Sequence, residues 1–387
     1  MPILNRAAEM QDEVAGWRRQ LHQQPELNFD VFKTADFVTQ KLREFGVDEI
    51  VTGLGRTGVV GVIKGRHGEG RTIGLRADMD ALPLHEITGA PYQSQTPGIM
   101  HACGHDGHTA MLLGAAKYLA ETRNFSGSVA VIFQPAEEGG GGGNEMVKDG
   151  MMERFAIERV YGMHNMPSLP VGAFAIRPGP IMAATAEFTL TIKGRGGHAA
   201  MPHTTIDPIV IGAQLVGALQ TIVSRSADPV EALVVTVTKF HAGDAYNIIP
   251  NSAELAGTVR TLKSETAVLA EKRMKEICAG IAAAHSVEIV VDFDANYPVT
   301  VNDAEQAVFA GDMAEAVAGE ANVNRATAPV MGGEDFSYML QARPGAFIFI
   351  GNGNSASLHN PAYDFNDDAI PHGMSYWIKL TETALAA

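Results

Sequence analysis

Short, nearly uninterrupted apolar runs at Gly58–Ile63, Arg71–Arg76, Ser128–Phe133 and Arg159–Met163 constrain the fold most, because helical stretches separate them. A strand that is apolar on both faces needs cover on both sides, which a helix-alternating order supplies. The pattern predicts an α/β domain built on a mainly parallel, buried sheet. Helical patterns at Asn5–Gln23, at Val31–Phe45 closed by Gly46, and at His108–Thr122 provide the cover. In such sheets ligands bind beyond the carboxyl ends of the strands, so the residues just after each run matter most.

The pattern changes at Arg177-Pro178-Gly179-Pro180. Glu187, Thr189 and Thr191 now alternate with Phe188, Leu190 and Ile192, the period of a half-exposed strand. A helix (Asp207–Ser224), two strands (Ala232–Phe240, Ala253–Leu262), a long helix (Glu265–His285) and a strand (Val287–Phe293) follow. That order, β-α-β-β-α-β, is ferredoxin-like. After Tyr297-Pro298 come helix, a strand at Ala346–Ile350 and a terminal helix ending near Leu385. The expected plan is a catalytic domain in two pieces, 1–182 and 296–387, with a smaller α+β domain, 183–295, inserted between them.

The 387 residues carry 29 basic and 44 acidic side chains, net −15, with no basic stripe, which argues against nucleic acid or an anionic membrane as partner. No apolar run approaches the roughly 18–20 residues of a membrane span, and no signal segment is visible. The two cysteines, Cys103 and Cys278, are too few for a disulfide scaffold. A reducing, cytoplasmic setting is expected. Gly53-Leu54-Gly55-Arg56-Thr57-Gly58 fits a dinucleotide fingerprint in letters, but a strand pattern follows where a helix is required. The glycine run 139–143 lacks the Lys-Ser/Thr of a phosphate loop and reads as backbone packed close to a site.

His101-Ala102-Cys103-Gly104-His105-Asp106-Gly107-His108 joins a thiol, three imidazoles and a carboxylate at a loop-to-helix junction, a donor set suited to zinc or a similar metal. The run Ser128–Phe133 leads into Gln134-Pro135-Ala136-Glu137-Glu138, where adjacent carboxylates at a sheet edge call for a positive partner. Met163-His164-Asn165 and Leu358-His359-Asn360 add ligand-type residues at comparable positions. Glu334-Asp335 reads as the acidic first turn of a helix.

On these residues the sequence resembles the aminoacylase-type metallopeptidase family, in the branch of hippurate hydrolases, bacterial N-acyl-amino-acid amidohydrolases and auxin-conjugate hydrolases. The resemblance spans nearly the whole chain. Arg76-Ala77-Asp78-Met79-Asp80, Cys103-Gly104-His105-Asp106, Gln134 to Gly142, Met163-His164-Asn165, Gly196-Gly197-His198, Asn247-Ile248-Ile249-Pro250, Gly257-Thr258-Val259-Arg260 and Gly332-Gly333-Glu334-Asp335-Phe336 carry it in order. It implies a zinc-exopeptidase-like domain with the ferredoxin-like domain inserted as lid and dimerisation element, and a homodimer or homotetramer. It implies two divalent ions per subunit, Zn, Mn, Co or Ni, held by Cys103, His105, Glu138, His164 and His359, with Cys103 the first choice as bridge. Glu137 is implied as general base and acid, His198 as oxyanion donor, and Asn247 and Arg260 as substrate-binding residues. The wider family has a ligating His-x-Asp where this chain has Asp78-Met79-Asp80. Cys103 and His105 substitute, leaving Asp78, Asp80 and Asp106 as supporting carboxylates.

The expected reaction is hydrolysis of the amide of an N-acyl-L-amino acid by a metal-bound hydroxide, the metal lowering the pKa of water from 15.7 to about 7. A metallo-dipeptidase or carboxypeptidase on the same site, a Cys103 nucleophile, and a non-catalytic metal-dependent binding protein are the alternatives.

Overall fold

Each apolar run of the first part becomes a strand of one eight-stranded sheet in the computed structural model, which describes residues 3–386. In chain order the strands used below are β1 (Glu49–Leu54), β2 (Gly58–Lys64), β3 (Thr72–Asp78), β4 (Ser128–Gln134), β5 (Ile157–Pro167), β6 (Phe174–Ala175), β7 (Ala184–Lys193), β8 (Leu233–His241), β9 (Ser252–Thr261), β10 (Glu288–Ala295), β11 (Val323–Asn324) and β12 (Gly345–Gly353). The eight-stranded sheet runs β1-β2-β4-β3-β5-β12-β6-β11. Its centre, β4-β3-β5-β12, is parallel. β2 is antiparallel to both its neighbours, and β6 runs antiparallel to β12. β1 is missing from the sequence reading because it is an exposed edge strand with no apolar run.

Helices α1 (Gln11–Gln23), α2 (Phe32–Glu44) and α3 (His105–Thr122) cover this sheet. The helix expected over Asn5–Gln23 is interrupted at Met10, where the chain restarts as α1. α3 is buried continuously from His105 to Ala116, as a helix apolar on all sides must be. It starts at His105, three residues before the sequence pattern suggested. Gly104, at φ +88°, turns the loop directly into its first turn. Only glycine takes that conformation cheaply.

The chain divides into two units. The first holds the chain up to Ile181, Val301–Ala328 and everything from Asp335 onward; the second holds Met182–Thr300 and Pro329–Glu334. Residues 296–300 and 329–334 therefore belong with the second unit, not with the catalytic segment expected from the sequence. Backbone bonds explain it: Thr185 donates to the Tyr297 carbonyl and Ala183 to that of Gly332, each at 2.9 Å.

In the second unit four antiparallel strands run β8-β9-β7-β10, the ferredoxin-like order. Helices α4 (Pro208–Thr221) and α5 (Ser264–His285) pack on them through Ile211, Leu215, Leu219, Met274 and Cys278 against Phe188, Leu190 and Leu255. Cys278 is a small apolar core residue here. Pro208–Ser226 is long and apolar enough to span a membrane by composition, yet one of its faces is spent on this core.

The fingerprint-like glycines 53–58 form the turn of the β1–β2 hairpin, with the Gly55 N–H donating to the Asp149 carboxylate at 2.7 Å. Within the glycine run the close packing is specific. A Cβ on Gly140 would fall 2.6 Å from the Phe29 ring, and one on Gly142 1.8 Å from the Pro135 carbonyl oxygen.

Candidate metal centre

The carboxyl ends of β3 and β4, the end of β5 and the first turn of α3 bring their side chains to one place in the first unit. Cys103, His105 and His164 present ligand atoms within 4.8 Å of one another, and so do Cys103, Glu138 and His359. All five ligands expected from the sequence thus fall into two overlapping triads that share Cys103. His105, Glu137 and Glu138 form a further group within the same distance.

The second nitrogen of each imidazole decides what the first can do. His105 Nδ1 lies 2.8 Å from the Asp80 carbonyl oxygen, and His164 Nδ1 lies 2.6 Å from that of Asn165. A carbonyl only accepts, so both Nδ1 atoms carry a proton, and in the neutral ring it is Nε2 that offers its lone pair to a cation. His164 Nε2 faces Cys103 Sγ at 3.3 Å, and His105 Nε2 faces Glu138 Oε1 at 3.9 Å. His105 Nε2 and Glu138 Oε1 are buried without a hydrogen-bond partner, and a cation with bonds of about 2.0–2.2 Å can bridge such a gap. The donor set fits a divalent ion, and imidazoles held through Nδ1 by carbonyls are what metal-ligating histidines usually show. His359, at φ +60°, sits at the rim, its side chain 55% exposed and its Nε2 3.4 Å from Glu138 Oε2.

His108 differs. Its Nδ1 lies 2.7 Å from Asp78 Oδ1, and its Nε2 accepts from the Asn165 N–H at 2.9 Å. Both nitrogens are occupied, so His108 is a support and not a ligand. His101 is fully buried, with both ring nitrogens unpartnered, and burial pushes its pKa down to about 4.

The carboxylates separate as sharply. Asp80 is the strut of the glutamate pair: its two oxygens accept the N–H groups of Glu137 and Glu138, each at 3.0 Å. Asp78 joins His108 to Arg76 Nη1, 2.7 Å away. Burial alone would raise Asp78, but His105, Arg76 and His108 hold it well below the usual carboxylate range. Asp106 corrects the sequence reading. It turns away from the ligands, its Oδ2 2.8 Å from His22 Nδ1 and 3.3 Å from Arg18 Nε, and so anchors α3 to α1. Asp335 is a second correction. It lies in no helix first turn; it is fully buried, with Arg76 Nη2 at 3.0 Å, Gln134 Nε2 at 2.7 Å and the Gly143 N–H at 2.8 Å.

In the metal-free chain the surplus of carboxylates recruits protons. Burial pushes the Glu138 carboxyl up to about 7. His105, which burial alone would lower, is raised to about 10 by Asp78, Asp80 and Glu138.

His198, Asn247 and Arg260 lie in the second unit and are not part of this cluster. His198 is exposed in a two-residue strand that pairs with Ile248–Ile249, and the Ala199 N–H donates to the Asn247 carbonyl at 3.0 Å. The Ala200 N–H donates to His198 Nδ1 at 3.1 Å, which leaves the neutral ring with its proton on Nε2. Arg260 on β9 is half-buried; Nη1 donates to the Val259 carbonyl at 3.0 Å and contacts the Thr258 hydroxyl, and burial lowers its pKa. Arg76, Gln134 and Asn165 are the supporting residues to which the sequence reading assigned no role. Their signal was a polar residue inside or ending an otherwise apolar strand.

A Campylobacter jejuni hippurate hydrolase is 44% identical over 380 residues, covering 98% of each chain. A Bacillus subtilis N-acetyl-L-cysteine deacetylase is 41% identical over 363 residues, 93% of this chain and 85% of its own. The crystal structure of a dinuclear metal binding peptidase of the M20 family from Bacillus subtilis superposes with a TM-score of 0.84 at 33% identity, covering 98% of this chain and 99% of that one. The model of peptidase family M20/M25/M40 matches residues 74–383, a span that holds all five candidate ligands. With two ligand triads sharing one thiol and this match over most of its length, the chain belongs to peptidase family M20/M25/M40.

Proposed function

We propose that the protein is a metal-dependent amidohydrolase that cleaves N-acyl-L-amino acids to a carboxylic acid and a free amino acid, with two divalent ions, Zn, Mn, Co or Ni, held by Cys103, His105, Glu138, His164 and His359. The observation that carries this reading is the buried Glu137 carboxylate, within 4.8 Å of the His105 and Glu138 ligand atoms while Asp80 fixes its backbone. The identity to a hippurate hydrolase and a deacetylase supports the substrate class. Cys103 belongs to both triads, as a bridging ligand must.

When bound, divalent ions acidify water and polarise a carbonyl. Glu137 takes the proton of the attacking water and returns it to the departing amine nitrogen. Asp80 keeps Glu137 and Glu138 aimed differently by holding their successive N–H groups on separate oxygens. His198, exposed and with its neutral-ring proton on Nε2, supplies an oxyanion donor. Arg260 has no carboxylate within ion-pair distance among the described residues, which suits capture of a substrate α-carboxylate, with Asn247 beside His198. The exposed Ile209 and Val210 on α4 and Val234 and Phe240 on edge strand β8 support assembly through the second unit as a homodimer or homotetramer, which light scattering tests. A thiolate ligand suits a reducing compartment, the cytoplasm.

The test is an assay of N-benzoylglycine, N-acetyl-amino acids and plain dipeptides, after chelation and after return of Mn²⁺, Zn²⁺, Co²⁺ or Ni²⁺. N-acyl amino acids are expected to be cleaved only with metal, and Glu137→Gln to lose about 10²–10⁴-fold in kcat while still binding metal. Full activity in the chelated protein or in Glu137→Gln, or preferential cleavage of dipeptides, would overturn the reading.

A further inference from the structure

We infer that Asn165 is the positioning residue that holds the metal-binding segments in register, a role that rests on the metal reading above. Asn165 is fully buried at the end of β5 and uses its polar groups on four different partners. Its side-chain Nδ2 donates to the Cys103 carbonyl at 2.6 Å, and its Oδ1 accepts from the Tyr363 hydroxyl at 2.7 Å. Its backbone N–H donates to His108 Nε2 at 2.9 Å, and its carbonyl accepts from His164 Nδ1 at 2.6 Å. The segments so tied carry Cys103, His164, His105 through the start of α3, and His359 four residues before Tyr363.

The amide orientation is forced. The Cys103 carbonyl can only accept, so nitrogen faces it. Tyr363 keeps its proton, since burial raises its pKa well above the usual value, so the amide oxygen faces the hydroxyl. No other side chain of this size donates on one branch and accepts on the other without first binding a proton. Gly104 is part of the same arrangement, because a Cβ there would lie 2.3 Å from Asn165 Nδ2 and 2.6 Å from the Tyr363 hydroxyl. Partners that orient ligands in this way typically change metal affinity about 10–100-fold when mutated.

The test compares wild type, Asn165→Asp and Tyr363→Phe by chelator competition for Zn²⁺ and Mn²⁺, and by the melting temperature of each protein with and without metal. In Asn165→Asp a carboxylate oxygen would face the Cys103 carbonyl oxygen. We expect metal binding at least ~10-fold weaker for Asn165→Asp and a smaller loss, about threefold or more, for Tyr363→Phe. The melting temperature of the loaded variants should fall further than that of the metal-free ones, because binding stabilises only what it prefers. Saturating metal should restore kcat with KM unchanged. Wild-type metal affinity in both variants, or equal melting shifts with and without metal, would reduce Asn165 to a core polar residue and overturn the inference. Should Asn165→Asp not fold, Tyr363→Phe decides alone. A wild-type protein that binds neither ion would instead fail the metal reading itself and take the inference with it.

Discussion

Replacing Arg76 by methionine tests whether the acidic centre depends on one buried cation. The guanidinium is 1% exposed and donates from Nε to Gln134 Oε1 at 2.8 Å, from Nη1 to Asp78 at 2.7 Å and from Nη2 to Asp335 at 3.0 Å. Methionine fills much of the volume but leaves the fully buried Asp335 without its cation and Asp78 with only His105 and His108, a loss of about 3–5 kcal/mol at pH 8. The pH dependence carries the sharper signature. Burial already raises Asp335 from the usual 3.8 to about 6 with Arg76 present. A carboxyl raised on folding binds more protons folded than unfolded, so it costs stability above its folded pKa and costs nothing below 3.8. Without Arg76 that folded pKa climbs further, so acid should relieve the variant more than the wild type. Urea midpoints measured from pH 8 to pH 5 should converge, the deficit shrinking to about 1–2 kcal/mol. A deficit constant with pH, or growing in acid, would refute the argument.

Gly104→Ala should weaken metal binding by at least ~10-fold, because the position needs φ +88° and the new methyl meets Asn165 and Tyr363; unchanged affinity in a chelator titration would count against it. His22, lowered by burial but raised overall to about 9 by Asp106 and Glu86, should stabilise the fold fully below about 6.5 and progressively less as pH rises through about 9, a swing of about 3 kcal/mol. The melting temperature of wild type relative to His22→Gln, followed from pH 6 to 9.5, reads this out, and a gap that stays constant would sink it.

The sequence already showed which residues gather and where. β3, β4, β5 and β12 are apolar enough to be read as buried strands, and the topology rule sends ligands to their carboxyl ends, where Glu137, Glu138 and His164 lie. The ferredoxin-like unit was equally readable, because its strands alternate and its helices do not. What local pattern could not show was where the chain crosses back. Residues 329–334 join the second unit through backbone pairing to Met182 and Ala183, distant in sequence and without any side-chain signature. β1 and the role of Asp335 stayed hidden for related reasons: an exposed edge strand has no apolar run, and a buried acid looks like a solvated one until Arg76, 259 residues away, is beside it.

The division of labour among the histidines shows the same limit at atomic scale. His101, His105 and His108 are equivalent letters in one octet, yet they become an unpartnered core ring, a candidate ligand and a support. Burial does not separate them, since all three are buried, His101 in the loop and His105 and His108 in the first turn of α3. The second ring nitrogen does. A carbonyl behind Nδ1 frees Nε2 for a cation, whereas a carboxylate behind Nδ1 and a peptide N–H on Nε2 exhaust the ring. The partner that makes this choice for His108 is Asn165, and for His105 it is the backbone of Asp80, residues supplied by β5 and by the loop just after β3. Ligand identity in this centre is therefore a property of strand register as much as of residue type. The short polar insertions in otherwise apolar strands mark where that register is fixed.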